Sequence, residues 1–157
     1  MKSNITQYII QIGIIGIGLA HTIPSQAVAP STTINLWSPE YLAQQHTLPL
    51  PVEEQSTKGA ISHVVVPRML VYRPTQSNHK AIMVISGGGY RREELGKEGT
   101  PASEWLVKQG YTVFNLIYRL PMDGWHNKMA PFADGQRALR IIRQKANVYD
   151  YNQVGVM

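Results

Sequence analysis

The 157-residue chain has no cysteine. That absence excludes a disulfide framework, thiolate-bound zinc, an iron–sulfur cluster, a cysteine nucleophile and a lipidated N-terminal cysteine. It leaves the compartment open, because exported proteins can dispense with disulfides. Charge is sparse, at 16% of residues. The excess of 15 basic over 10 acidic side chains is scattered, apart from Arg91-Arg92 and the group Arg137, Arg140, Arg143 and Lys145. A nucleic-acid interface calls for a continuous basic stripe with aromatic or groove-reading elements, and neither is present, so no nucleic-acid partner is expected. The five histidines, His21, His46, His63, His79 and His126, lack metal-ligand spacing, so no metal is expected. Apolar residues still make up 43%, enough for a packed core.

The chain also lacks an apolar run of bilayer length. Tyr8 to Ala20 is nearly unbroken, interrupted by Gln11, but counts 13 residues, against about 20 for a membrane-spanning helix. Lys2 precedes it, Pro24 ends it, and Ser25-Gln26-Ala27 supplies small residues where a signal peptidase reads. This is the layout of an export signal, residues 1–27, with cleavage after Ala27. The expected location is therefore periplasmic or secreted, with no stable membrane span after cleavage. An uncleaved anchor is the competing reading.

Residues 28–60 are rich in Pro, Ser, Thr and Gln and show no clear period. Pro30, Pro39, Pro49 and Pro51 preclude a long helix, so this is an irregular lead-in, either an ordered wrap or a flexible segment. From Ile61 the pattern sharpens into the main domain, residues 61–157. Ile61 to Tyr72 reads as extended chain, with Pro67 at a bend or edge. Ala81 to Ser86 and Thr112 to Tyr118 are short continuous apolar runs, which suit strands buried on both faces of a parallel sheet. Thr100-Pro101 reads as an N-cap and first helical position, and Gly110 as the helix stop. Ala130-Pro131 opens a second helix running to about Ala146. One face carries Gly135, Leu139, Ile142 and Ala146, widened by Ala138 and Ile141, with Arg137, Arg140 and Arg143 on a solvated face. Val154 to Met157 begins a third strand. The alternation predicts an α/β fold built on a doubly wound, mainly parallel sheet.

The segment Ser86-Gly87-Gly88-Gly89-Tyr90 stands at the carboxyl end of a predicted buried strand, where open α/β sheets bind ligands. Consecutive glycines admit positive φ and let neighbouring N–H groups converge on one point, which is what a developing oxyanion needs. On the triplet alone a plain tight turn between strand and helix is the simpler reading. Phosphate-binding readings fail on spacing. Arg92 occupies the third glycine position of a dinucleotide fingerprint, and Glu98 replaces the Ser/Thr that follows a P-loop lysine.

Taken together, I-S-G-G-G-Y (85–90), Y-R-L-P (118–121), A-D-G-Q-R-A-L-R-I-I-R (133–143) and V-G-V-M (154–157) resemble the α/β-hydrolase superfamily. The narrower resemblance is to its exported acetylxylan-esterase-like, carbohydrate esterase branch. It covers Ile61 to Met157. It implies that Gly88 and Gly89 supply oxyanion-hole N–H groups, that Gly87 shapes the turn, and that Tyr90 lines the substrate mouth or packs the loop. Ser86 departs from the His or Pro that many relatives carry. Arg119 and Asp134 correspond to structural positions, expected to pair and tie a strand end to a helix. Trp125 and His126 lie in the loop before the second helix and are candidates for touching substrate, His126 reading more simply as a surface residue.

The resemblance also implies a G-x-S-x-G elbow directly after the V-G-V-M strand, followed by an acid and a histidine. No G-x-S-x-G occurs in the sequence. Ser62, Ser86 and Ser103 stand nearest to plausible sites, but none sits on a strand-to-helix elbow beside a base. The chain thus reads as the N-terminal part of a serine-type carboxylic-ester hydrolase, an α/β-hydrolase sheet truncated before its nucleophile elbow. Its substrates would be acylated sugars or short-chain esters, with no cofactor. The alternative is a non-catalytic exported remnant or binding protein.

Overall fold

A computed structural model describes residues 28–46 and 49–157, so the expected export signal over 1–27 lies outside the described residues. The main sheet has five strands: β1 (Thr32–Asn35), β4 (Arg68–Tyr72), β6 (Thr112–Ile117), β5 (Lys80–Ile85) and β7 (Gln153–Val156), in that spatial order. β5 pairs in parallel with β6 and β7, while β4 is antiparallel to both β1 and β6. Hence β4 alone runs against the other four, and the sheet is mainly parallel, of the kind the sequence predicts. A separate ribbon pairs β2 (Glu54–Gln55) with β3 (Ile61–Ser62).

The apolar runs become strands for the expected reason. Every residue of β6 is buried, since strands flank it and helices cover both faces. On one face, Met83, Phe114 and Leu116 pack with Ala138 and Ile142 of helix α3 (Ala130–Gln144). On the other, Val84 and Val113 pack with Leu106 and Val107 of helix α2 (Thr100–Lys108). Helices on opposite faces make the sheet doubly wound.

Helix α2 stops as expected. Gly110 has φ +88°, its N–H donates to Val107 O and the Tyr111 N–H donates to Leu106 O, the paired bonds of a Schellman cap. Its start differs from expectation. A π-helical turn (Leu95–Gly99) runs directly into α2, and Gly99 is already helical at φ −66°, ψ −50°. Thr100 is itself helical, at φ −65°, ψ −50°, and so does not cap the helix, because a cap residue has a non-helical backbone. Pro101 keeps its predicted place in the first turn.

The lead-in takes the ordered form. It supplies β1, whose antiparallel register with β4 sets Ile34 opposite Met69, and helix α1 (Pro39–Ala43), which Ser38 caps by accepting the Tyr41 N–H. A short helix α4 (Ala146–Tyr149) then leads into β7. Val156 and Met157 are exposed at that edge of the sheet.

Candidate oxyanion loop and its supports

The glycine run leaves β5 at the carboxyl end of the parallel strands. Gly88 has φ +140° and Gly89 φ +63°, both in the range that side chains resist. A Cβ on Gly88 would stand 2.0 Å from the Arg92 carbonyl oxygen, whereas one on Gly89 would meet nothing within 4 Å. The first glycine is thus required by close approach as well as by φ. Glu98 Oε2 accepts the Gly87 N–H at 2.6 Å, and Gly87 O accepts the Glu94 N–H at 2.9 Å. Among the described residues no acceptor takes the N–H of Gly88 or Gly89. Gly87 is therefore spent on holding the turn, and its two successors retain free donors.

These glycines and Tyr90 line an open cleft of about 480 Å³ whose other walls are almost wholly apolar, including Ile85, Leu116, Phe132, Leu139 and Val156. Tyr90 adopts φ +59° and is 47% exposed. Its ring stands edge-on to Tyr118 at 6.5 Å. Tyr118 Oη donates to Ser86 O at 3.0 Å, and burial, with Glu93 beside it, pushes that phenol up to about 12.

Arg119 and Asp134 pair as the sequence suggests, and more completely. Arg119 Nη2 lies 2.7 Å from Asp134 Oδ1, and the side chains are 2% and 0% exposed. Asp134 also accepts the Arg119 backbone N–H at 2.8 Å and the Trp37 Nε1–H at 2.6 Å. The guanidinium lies over Trp125 at 4.9 Å and Trp37 at 5.6 Å. Two expectations change here. Trp125 is 2% exposed and packs with Leu42 and Ala130, so it braces the arginine and does not reach the cleft. Arg137 is not simply solvated: its Nε donates to Leu36 O at 3.2 Å, and its guanidinium covers Trp37. His126 is exposed.

The serines behave as their positions imply. The buried Ser103 hydroxyl donates to Gly99 O at 2.7 Å. Ser86 is 2% exposed beneath the loop. Sequence reasoning missed Glu93. It lies in a charged run, Arg91 to Glu94, that resembles a surface segment, yet it is fully buried. Its Oε1 accepts the Tyr118 backbone N–H at 2.6 Å, and burial raises its carboxyl well above the usual carboxylate range. Among the described residues no group of three or more His, Cys, Asp or Glu is arranged to hold a metal, and no helix is long and apolar enough to cross a membrane.

No family model matches the chain. An acetylxylan esterase from Xylanibacter ruminicola is 36% identical over 92 residues, which are 57% of this chain and 18% of that enzyme. An acetyl ester-xyloside bifunctional hydrolase from Caldicellulosiruptor lactoaceticus superposes with a TM-score of 0.54 at 25% identity, over 84% of this chain and 43% of that one. A propionate-bound thermophilic esterase from Thermogutta terrifontis shares the fold at a TM-score of 0.50 and 20% identity, over 69% and 42% of the two chains. The fold is of the α/β-hydrolase type. Within that class the chain is similar to an acetylxylan esterase along its matched segment. It spans less than half the length of each of these relatives.

Proposed function

We propose that this chain is the oxyanion-bearing, N-terminal part of an exported serine-type carboxylic-ester hydrolase that deacylates acylated sugars or short-chain esters. The observation that carries the reading is the pair of uncommitted N–H groups on Gly88 and Gly89. They belong to residues that line an apolar cleft at the carboxyl end of β5, while Glu98 takes the Gly87 donor. In the reaction a serine oxygen bonds to the ester carbonyl carbon, and the carbonyl π pair moves onto oxygen. Those two N–H groups receive that charge. The histidine of the triad takes the serine proton and gives it to the alkoxide as the intermediate collapses and the C–O bond to the alcohol breaks; water then attacks the acyl-serine, releasing the acid and restoring the serine. Tyr90 lines the mouth.

The serine, acid and histidine belong, on this reading, beyond Met157. The direction of β7 supports it. Met157 N–H donates to Met83 O at 2.9 Å and Ile85 N–H donates to Met157 O at 3.0 Å. The chain thus points toward the sheet edge that carries the glycine loop. Lys2, the apolar stretch Tyr8 to Ala20 and Ser25-Gln26-Ala27 support export.

The test is to read the gene past codon 157. A Gly-x-Ser-x-Gly elbow in frame after V-G-V-M, or one recovered by a one-base shift, is the expected result. Its product should release acetate from acetylated xylan. A frame that closes without an elbow overturns the enzyme reading for this chain and leaves the alternative, a non-catalytic exported remnant or binding protein.

A further inference from the structure

We propose that Glu93 is the positioning residue of the glycine loop, clamping its returning limb to the backbone N–H of Tyr118 and so fixing where the Gly88 and Gly89 N–H groups point. The inference rests on the oxyanion reading of that loop. The loop departs at Ser86 and returns at Glu93, and Tyr118 holds both limbs. Its backbone N–H donates to Glu93 Oε1 at 2.6 Å and its hydroxyl donates to Ser86 O at 3.0 Å. Glu93 is bound on its main chain too, exchanging bonds of 2.8 and 2.9 Å with Ile61. The residue before it, Arg92, presents the carbonyl against which Gly88 is pressed. A displacement of Glu93 therefore moves the backbone that sets Gly88.

Packing alone does not account for a glutamate here. The side chain is fully buried, and its Oε2 has no hydrogen-bond partner among the described residues. An apolar residue would fill the space without that desolvation cost. The charges acting on the carboxyl are Arg68, itself held by Glu53 at 2.6 Å, together with Glu53 and Asp134. Burial outweighs the arginine and favours the neutral acid. A glutamine reproduces that neutral form and keeps the oxygen that accepts from Tyr118.

The test is residue-resolved amide hydrogen exchange on the full chain as wild type, Glu93→Ala and Glu93→Gln. In Glu93→Ala the amides of Tyr118, Glu94 and Arg91 should exchange about tenfold faster or more, while Phe114 and Leu116 in the sheet hold within about twofold. Glu93→Gln should restore wild-type protection. The proposal is overturned if loop amides are unchanged in Glu93→Ala. It is equally overturned if sheet amides accelerate in step with them, or if glutamine fails to rescue. A separate titration of wild type with methylphosphonate, followed at the Gly88 and Gly89 amides, tests the oxyanion reading. Silence there alongside a positive exchange result would reject the anion site and keep the clamp.

Discussion

Two buried polar centres flank the end of β6, and they are built on opposite terms. At Arg119–Asp134 both charged groups are matched, and Trp125 Nε1 alone of that cluster has no partner among the described residues. The carboxylate accepts from the Arg119 side chain and backbone and from Trp37, and two indole rings cover the guanidinium. Under the glycine loop the matching is incomplete. Ser86 Oγ, Glu93 Oε2 and both polar atoms of the Asn115 side chain have no protein partner among the described residues. The first centre ties the strand end to α3 and to the lead-in, and it is a structural fixture. The second leaves polar groups beneath the backbone that presents free N–H donors. Unsatisfied groups tolerated beside a candidate site mark where the fold gives up stability for geometry.

That contrast predicts a hierarchy of losses. Asp134→Ala should be the most damaging change, because it strands Arg119 in a buried site with no counter-charge. We expect a loss of about 3–5 kcal/mol, read from urea unfolding of the full chain. A loss under about 1 kcal/mol would mean the pair is not the fixture described. Next comes a pair of glycines. Gly88→Ala must push against the Arg92 backbone, while Gly89→Ala meets open space and carries only the left-handed penalty of about 1–2 kcal/mol. Gly88→Ala should therefore cost clearly more than Gly89→Ala in the same unfolding assay. Equal costs would remove the close approach as the reason for the first glycine. Trp37→Phe is milder. It removes the Nε1 donor and keeps a ring over the guanidinium, so about 1 kcal/mol is expected. A neutral result would show that the remaining donors already satisfy Asp134.

Legibility in the sequence follows how local each signal is. The buried strands β5 and β6 are contiguous apolar runs, and Gly110 ends its helix by a rule of three adjacent residues. The glycine loop is legible because three glycines in a row have few structural uses. Trp37 is different. Its partner Asp134 is 97 residues away, and the surrounding Pro- and Ser-rich segment has no period to suggest that it joins the core. β1 is hidden for a related reason: Thr32–Asn35 is an edge strand with one partly buried apolar residue. Glu93 is hidden by its neighbours. In Arg91-Arg92-Glu93-Glu94 only tertiary placement distinguishes the buried carboxylate from the exposed arginines.

The last prediction concerns how the second centre responds to pH. Burial raises the Glu93 carboxyl in the folded chain above its ordinary value near 4.5, so folding favours its protonated form. Its contribution is then fully present below the ordinary glutamate range and is lost as pH rises toward the raised folded value. Asp123, also raised by burial, acts with the same sign. Glu40 and Glu94 are lowered, which has the opposite sign: Glu40 is exposed and solvent screens it, whereas Glu94 is largely covered and held down by Arg92, so it opposes the fall only over the foot of the window, where an ordinary glutamate still titrates. Tyr118 titrates far above this window. Unfolding free energy measured from pH 4.5 upward should therefore fall in the wild type. In Glu93→Gln the fall should be shallower, since the side chain is neutral throughout and the Asp123 part remains. An unchanged slope in that variant would mean that the carboxyl titrates normally, and that Glu93 is not held in the dry setting that distinguishes the loop from the Arg119–Asp134 pair.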